Sequence, residues 1–387
     1  MLYRNFFQTY IPVLLLAVLF VSLFSSCKPD DPDDTTTSGK VVLMYMGTDN
    51  SLWAETNQQI DSLLKGWDVL KSGHLYIYAD QAGQLPVLLK IERINGRTVK
   101  RNIRTYEESN SADPAVLAGV IQDVLALHPS PSSNSFGLIV FSHASGWLPV
   151  GALENPGARS IIIDNGPGTE GKQEMELAEF ANALPNHLFD YIIFDACFTA
   201  GVEFAYELRN KANYIVGSSA EIVSPGYTPY YPKIIRYLFQ KQTDLKSFIG
   251  TVFNGIENDE YRSGTFSIIK TSELESLHNF VHTSCDFTKP VDISAIQDFG
   301  RYPFRSLFFD FGAYYSALLK DGSQQENLSR LIDNCLIYKA NTPSFLLQWG
   351  GFIIRQHSGL TTYIPQAQFP KLNEAYTNLS WWQSSGE

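Results

Sequence analysis

Short stretches of this chain are apolar almost without interruption: Val41 to Met46, His74 to Ala79, Val87 to Ile91, Phe136 to Ser142, Tyr191 to Ala196, Tyr214 to Gly217 and Thr265 to Ile269. A strand facing water on one side alternates apolar and polar residues. A strand that does not alternate must be covered on both faces, and a parallel sheet with helices above and below is the usual way to do this. Amphipathic stretches lie between the runs, at Ser51 to Lys65, Pro114 to Leu127, Glu174 to Leu184, Ala200 to Asn210, Pro229 to Phe239, Leu245 to Asn258 and Ser272 to His282. The order predicts an α/β fold with a mostly parallel sheet. Asp113-Pro114 is a helix start, with Asp as N-cap and Pro in the first turn. From Cys285 the chain turns aromatic-rich and mainly helical, and Gly350 to Arg355 and Thr361 to Ile364 read as late strands. No internal repeat is present.

The amino terminus does not belong to this core. The run Ile11 to Phe24 is shorter than the ~20 residues a membrane-spanning helix needs, and it ends in Ser25-Ser26-Cys27. It reads as a signal peptide, and Leu23 to Cys27 resembles a bacterial lipobox, whose cysteine receives lipid. Lys28 to Gly39 contains two prolines, four aspartates and no apolar side chain, so it cannot pack and is expected to be a solvated tether. Acidic residues directly after a lipidated cysteine resemble the surface-export signals of some Gram-negative lipoproteins. The expected organisation is a signal peptide over 1–26, an acidic tether over 27–40 and a folded part from 41. Localisation follows as extracytoplasmic, lipid-anchored to a bacterial outer membrane and open to the cell surface.

Charge and cysteine content narrow the partners. With 29 Lys and Arg against 40 Asp and Glu, the net charge of -11 disfavours nucleic acid, whose binding runs on phosphate neutralisation. Four cysteines are too few for a disulfide scaffold in 387 residues, and no Cys-x-x-Cys pair or His-rich tract offers zinc-ligand spacing. No metal and no cofactor is expected. Cys285 and Cys335 are free to pair or to stay buried, and spacing leaves both open.

Two strand ends carry candidate chemistry. The run Phe136 to Ser142 leads into His143-Ala-Ser-Gly-Trp147, and Tyr191 to Ala196 leads into Cys197. Buried parallel strands deliver their next residues to the carboxyl edge of the sheet, where ligands of α/β folds bind. The helical run after Cys197 predicts a sulfur near a helix start, whose dipole favours the thiolate. A His and a Cys on one edge can act as a covalent-catalysis dyad. Taken singly, each has a plainer explanation: a strand-end cysteine is often a small buried hydrophobe, and such a histidine is often structural.

His143-Ala-Ser-Gly-Trp147 and the segment Phe194 to Leu208, with Asp195-Ala-Cys197 and Val202-Glu-Phe-Ala-Tyr-Glu-Leu208, resemble the two signature segments of the clostripain family of cysteine peptidases. Similar stretches at Arg159 to Asp164, Thr265 to Leu274 and Ser358 to Pro365 extend the resemblance over nearly all of 41–365. It implies a caspase-like three-layer αβα sandwich, a peptidase domain over 41–284 and a smaller C-terminal subdomain over 285–387. It also implies an endopeptidase with Cys197 as nucleophile, His143 as general base and then acid, and backbone N–H groups of Cys197 and Ala144 as oxyanion hole. Asp195 then lies in the specificity pocket and selects Arg or Lys before the cut, through a charge-assisted hydrogen bond. Its plainer role is to cap the turn that follows its strand. Some members are activated by a cut between the two segments, where the only Lys and Arg residues are Arg159 and Lys172.

Two departures from the family pattern stand out. Ala144 occupies a Gly position, and if that position needs positive φ the turn is strained by ~1 to 2 kcal/mol. The pocket wall reads Ser218-Ser-Ala-Glu-Ile-Val-Ser-Pro-Gly-Tyr-Thr-Pro-Tyr230 where Ser-Glu-Glu is common, which weakens the expected cationic preference. Three functions compete: a peptidase acting on peptide or protein, a surface lipoprotein that keeps the fold and only binds peptide or glycan, and a transferase or amidase that uses the same dyad. The first explains why both His143 and Cys197 are present.

Overall fold

In the computed structural model all seven apolar runs are strands of one nine-stranded sheet. The structure describes residues 39–383 apart from 71, 131–133, 153–160, 167–173 and 260–261. In chain order the strands are β1 (Lys40–Thr48), β2 (His74–Gln81), β3 (Val87–Ile94), β4 (Arg97–Thr105), β5 (Ser135–Phe141), β6 (Phe189–Asp195), β7 (Ala212–Gly217), β8 (Thr265–Lys270) and β9 (Leu336–Asn341). Their spatial order is β9-β8-β7-β6-β5-β1-β2-β3-β4. The five strands from β7 to β2 are parallel, and the outer two on each side pair antiparallel.

The apolar runs sit in this central part because both of their faces are covered. Along β1, Val41, Leu43 and Tyr45 enter one core, and Val42, Met44 and Met46 enter the other. Helices α1 (Trp53–Trp67) and α5 (Leu245–Glu257), with the short helical turns of Thr228–Leu238, close one face. The other face is closed by α2 (Pro114–Ala126), α3 (Leu177–Ala183), α4 (Val202–Glu207) and α6 (Leu274–Ser284). The result is a three-layer αβα sandwich. Each fully buried Ile, Leu or Phe, such as Ile193, Leu138 and Phe194, contributes about 1.5–3 kcal/mol. As its sequence implies, α2 is capped by Asp113, whose carboxylate accepts from Ala115 N at 2.8 Å.

Several elements differ from the sequence expectation. The charged segment Arg97–Thr105 is a strand, paired only with β3 at the sheet edge, where Arg and Lys side chains remain in water. The expected helix Ala200 to Asn210 is reduced to the six residues of α4. Glu174–Met175 forms a short strand ahead of α3, and the late strands shrink to Phe352–Ile353 and Thr361–Thr362. The stretch 285–387 includes α7 (Phe311–Leu318), α8 (Gln325–Cys335) and α9 (Pro370–Thr377). It supplies β9 to the main sheet, and Tyr315, Tyr363 and Trp381 share a core with β1.

The chain goes from β1 outward to β2 on one side, then returns to β5 on the other side of β1. Such a reversal opens a crevice at the carboxyl ends of the strands, where α/β folds bind ligands. Among the described residues no helix is long and apolar enough to cross a membrane. Cys27 and the apolar run before it lie outside the described residues, as do Arg159 and Lys172.

Candidate active site

Strands β5 and β6 are adjacent and parallel, with Phe141 opposite Asp195. His143 and Cys197, each two residues further on, therefore leave the same edge of the sheet side by side. Both are partly exposed and both line one cavity of about 450 Å³, together with Ala144 and Asp195. The structure thus brings the four candidate residues of the His and Cys segments to one place.

The turn carrying Cys197 is tightly held. Phe198 has φ of 57°, a left-handed conformation costing a bulky residue ~1–2 kcal/mol. The surroundings offset it: Phe198 N donates to Ala220 O at 3.0 Å, Ala200 N to Ser218 O at 2.9 Å, and the Phe198 ring stacks on Phe308 at 4.1 Å. The backbone N–H of Ile222 donates to Cys197 Sγ at 3.3 Å. A hydrogen bond to sulfur stabilises the thiolate relative to the thiol. The helix dipole expected there is absent: α4 starts only at Val202 and spans barely two turns, too far and too short to act on Sγ.

His143 is held from the β1 side. Its Nε2 lies 2.8 Å from Ser51 Oγ, and its carbonyl accepts from Ile162 N at 3.1 Å. Ser51 lies three residues past the end of β1, so the crevice at the strand reversal is where the imidazole is positioned. Ala144 is not among the positive-φ residues, and the expected strain does not arise. Gly146 carries the left-handed turn instead, with φ of 63°, and a Cβ there would come 2.5 Å from Phe198 O. The glycine that this loop requires is therefore two residues after Ala144.

Asp195 is buried, with 3% of its surface exposed, yet it lines the cavity. One oxygen, Oδ2, accepts from Gln59 Nε2 at 3.0 Å and Tyr227 N at 3.1 Å, while Oδ1 is buried without a hydrogen bond. Burial pushes this carboxyl up to about 7, with Glu55 adding to the rise and the two donors opposing it. Gly226, at φ of 58°, keeps the approach to Oδ1 open: a Cβ there would lie 2.4 Å from it. Ile222 and Val223 form the apolar wall, and Ser224 donates to Glu55 at 2.7 Å on the rim. Glu221 is gripped by Arg301 through two contacts of 2.5 and 2.9 Å, which ties the wall to the segment Arg301–Phe304.

Ser51, Gln59, Arg301 and Tyr302 were not legible in the sequence, because nothing local marks a residue that reaches the site from another part of the chain. Cys285 and Cys335 are unpaired and buried, and burial pushes their thiols up to about 11 and about 12. Buried and held in the thiol form, both are poor nucleophiles at neutral pH.

A mostly parallel sheet between helices, with cysteine and histidine on one carboxyl edge, is the caspase-like arrangement of a cysteine peptidase. The family model of Peptidase C11, the clostripain family, matches residues 44–346, and the chain belongs to that family. None of the curated proteins matches it. Among solved structures, it is similar to an inactive zymogen C11 protease from Parabacteroides distasonis, with 29% identity over 90% of this chain and 98% of that one, at a TM-score of 0.77. A secreted C11 cysteine protease from Bacteroides thetaiotaomicron, in complex with an irreversible peptide inhibitor, shares the fold at 24% identity and a TM-score of 0.77, covering 89% of this chain and 98% of that one.

Proposed function

We propose that the protein is an extracytoplasmic endopeptidase in which Cys197 is the nucleophile, His143 the general base, and Asp195 the group that favours Arg or Lys before the cut. One observation carries this reading: the ends of two adjacent parallel strands supply a cysteine and a histidine to a single cavity whose floor holds a buried carboxylate with one unpartnered oxygen. The thiol proton passes to His143 as Sγ bonds to the scissile carbonyl carbon. The C–N bond then breaks as His143 returns the proton to the leaving amine, and water hydrolyses the thioester. Backbone N–H groups of Cys197 and Ala144 serve as the oxyanion donors, where one lost donor costs ~2.7–4 kcal/mol of transition-state stabilisation.

Asp195 Oδ1 is what makes a cationic side chain the fitting occupant. A guanidinium or ammonium that reaches it supplies the missing partner and neutralises a buried charge, whereas an apolar side chain leaves the carboxyl protonated. In the same proposal, lipidation at Cys27 tethers the enzyme through 27–40, and Arg159 or Lys172 is the point of self-processing. Peptides with Arg, Lys, Leu or Phe before the cut, assayed side by side, test the specificity. The cationic pair is expected to turn over at least tenfold faster. Equal or faster cleavage of the apolar pair overturns the role of Asp195, and no cleavage of any peptide favours a protein that only binds.

A further inference from the structure

We propose that the edge of the sheet opposite the catalytic crevice docks on the anionic headgroups of the membrane, which holds the enzyme with its active site facing away from the bilayer. The inference rests on the lipid anchor at Cys27 proposed above and adds to it a surface and an orientation. Lys40 is the first residue of β1, so the chain enters the sheet at the amino edge of its parallel strands. His143 and Cys197 leave it at the carboxyl edge. The nine residues of β1 put about 30 Å between the two edges. Fully extended, Lys28 to Gly39 spans roughly 40 Å, so an anchor at Cys27 keeps the domain near the bilayer without choosing the face that meets it.

Charge at the amino edge makes that choice. β2 runs parallel to β1, and β3 and β4 each reverse direction, so the turn from Ile94 to Arg97 comes back to the edge where Lys40 enters. In a chain of net charge -11 this hairpin is strongly basic: Lys90, Arg93, Arg97, Lys100, Arg101 and Arg104 stand against Glu92 alone. Some of these cations are engaged. Lys90 and Arg101 reach Glu92, Arg104 pairs with Asp123, and Arg93 donates to Asp68 O. Arg97, Lys100 and, in the last turn of α1, Lys65 are exposed and form no ion pair among the described residues.

The same edge exposes apolar side chains. Arg93 and Thr98 both donate to Asp68, which holds the end of α1 against the hairpin. Val69 beside Asp68 and Ile94 beside Arg93 are each about half exposed, as is Leu127 at the end of α2. Cations around exposed apolar side chains suit the headgroup boundary of a bilayer, which takes up both. The acidic run Asp30 to Asp34 also complements the charge, but its segment has no apolar side chain with which to cover Val69 and Ile94.

Photocrosslinking of the full chain, with p-benzoylphenylalanine in place of Ile94 or of the exposed Tyr302 beside the crevice, tests the proposal without reference to activity. Vesicles of phosphatidylethanolamine and phosphatidylglycerol are expected to give a lipid adduct at position 94 and far less at position 302. Vesicles of phosphatidylcholine alone, or salt of about 1 M, where charges are screened within about 3 Å, are expected to remove most of it. A cation near an anionic leaflet raises its occupancy about fivefold, so Arg97→Gln with Lys100→Gln is expected to lower the adduct on the order of tenfold, and Arg97→Lys with Lys100→Arg to keep it. Equal adducts at the two positions, or none at 94, overturn the orientation. An adduct indifferent to lipid charge and to both glutamines overturns the charged docking. A crosslink from position 94 to residues 28–39 in place of lipid puts the tether on this edge and overturns the membrane as its partner. Failure of the anchor reads differently: the chain then does not float with vesicles at about 1 M salt, whereas the adduct with anionic vesicles at low salt persists.

Discussion

Replacing Cys197 by alanine is expected to lower peptide cleavage by on the order of 10⁴ or more, while the protein remains folded. The size of the loss follows from removing the atom proposed to form the acyl intermediate, since catalytic groups that act as a unit fail together. Folding survives because the side chain is only partly buried and accepts from the Ile222 N–H through a single weak bond to sulfur. Leaving that donor without sulfur costs about 1 kcal/mol, a small fraction of the stability of a domain this size. Steady-state cleavage measured beside thermal unfolding separates the two effects. A Cys197→Ala protein that keeps wild-type turnover would remove the cysteine from the mechanism altogether.

The second-largest expected effect is at Asp195. Asp195→Asn is expected to reduce kcat/KM for Arg and Lys substrates by tenfold to a hundredfold, as the loss of a charge-assisted hydrogen bond of about 1.5–3 kcal/mol implies, and to leave Leu and Phe substrates nearly unchanged. The pH dependence gives an independent readout. Because burial raises this carboxyl to about 7, the native chain holds a proton that the unfolded chain releases at its ordinary, lower value. Between those two values the native state binds more protons, so this group's contribution to stability decreases as pH rises through the window. Substrate affinity runs the other way: a cationic side chain needs the ionised carboxylate, so KM for Lys and Arg peptides should fall as pH rises towards and past 7. In Asp195→Asn that slope disappears. A KM that is flat with pH in the wild type would show that the cationic group does not meet this carboxylate.

How much of this was legible beforehand depended on whether the signal was local. Phe136 to Ser142 and Tyr191 to Ala196 are apolar on both faces, which is enough to place them as central strands and to put His143 and Cys197 at their ends. Arg97–Thr105 was missed because an edge strand exposed to water carries no apolar pattern; its strand character comes from pairing with β3. Leu336–Asn341 was read within a mainly helical stretch, and its place beside β8 is decided by a long-range antiparallel pairing. At the site, the spacing around Cys197 suggested a helix start, but the chain first makes a tight turn through Phe198, because its backbone must reach Ala220 and Ser218 on the neighbouring segment. Ala144 looked like a strained substitution only while the position of the left-handed residue was unknown; Gly146 occupies it. Ser51 and Gln59 belong to α1 and the turn before it, and only the strand order brings them against His143 and Asp195.

The central claim is that one thiol, Cys197, is the reactive nucleophile of a pocket that favours cations. Treating the protein at neutral pH with a peptidyl chloromethyl ketone ending in Lys, then mapping the adduct by mass spectrometry, tests it directly. The account predicts a single adduct on Cys197, none on Cys285 or Cys335, and slower labelling by the matching Leu reagent. Labelling spread over the three thiols, or an unmodified Cys197, would contradict it.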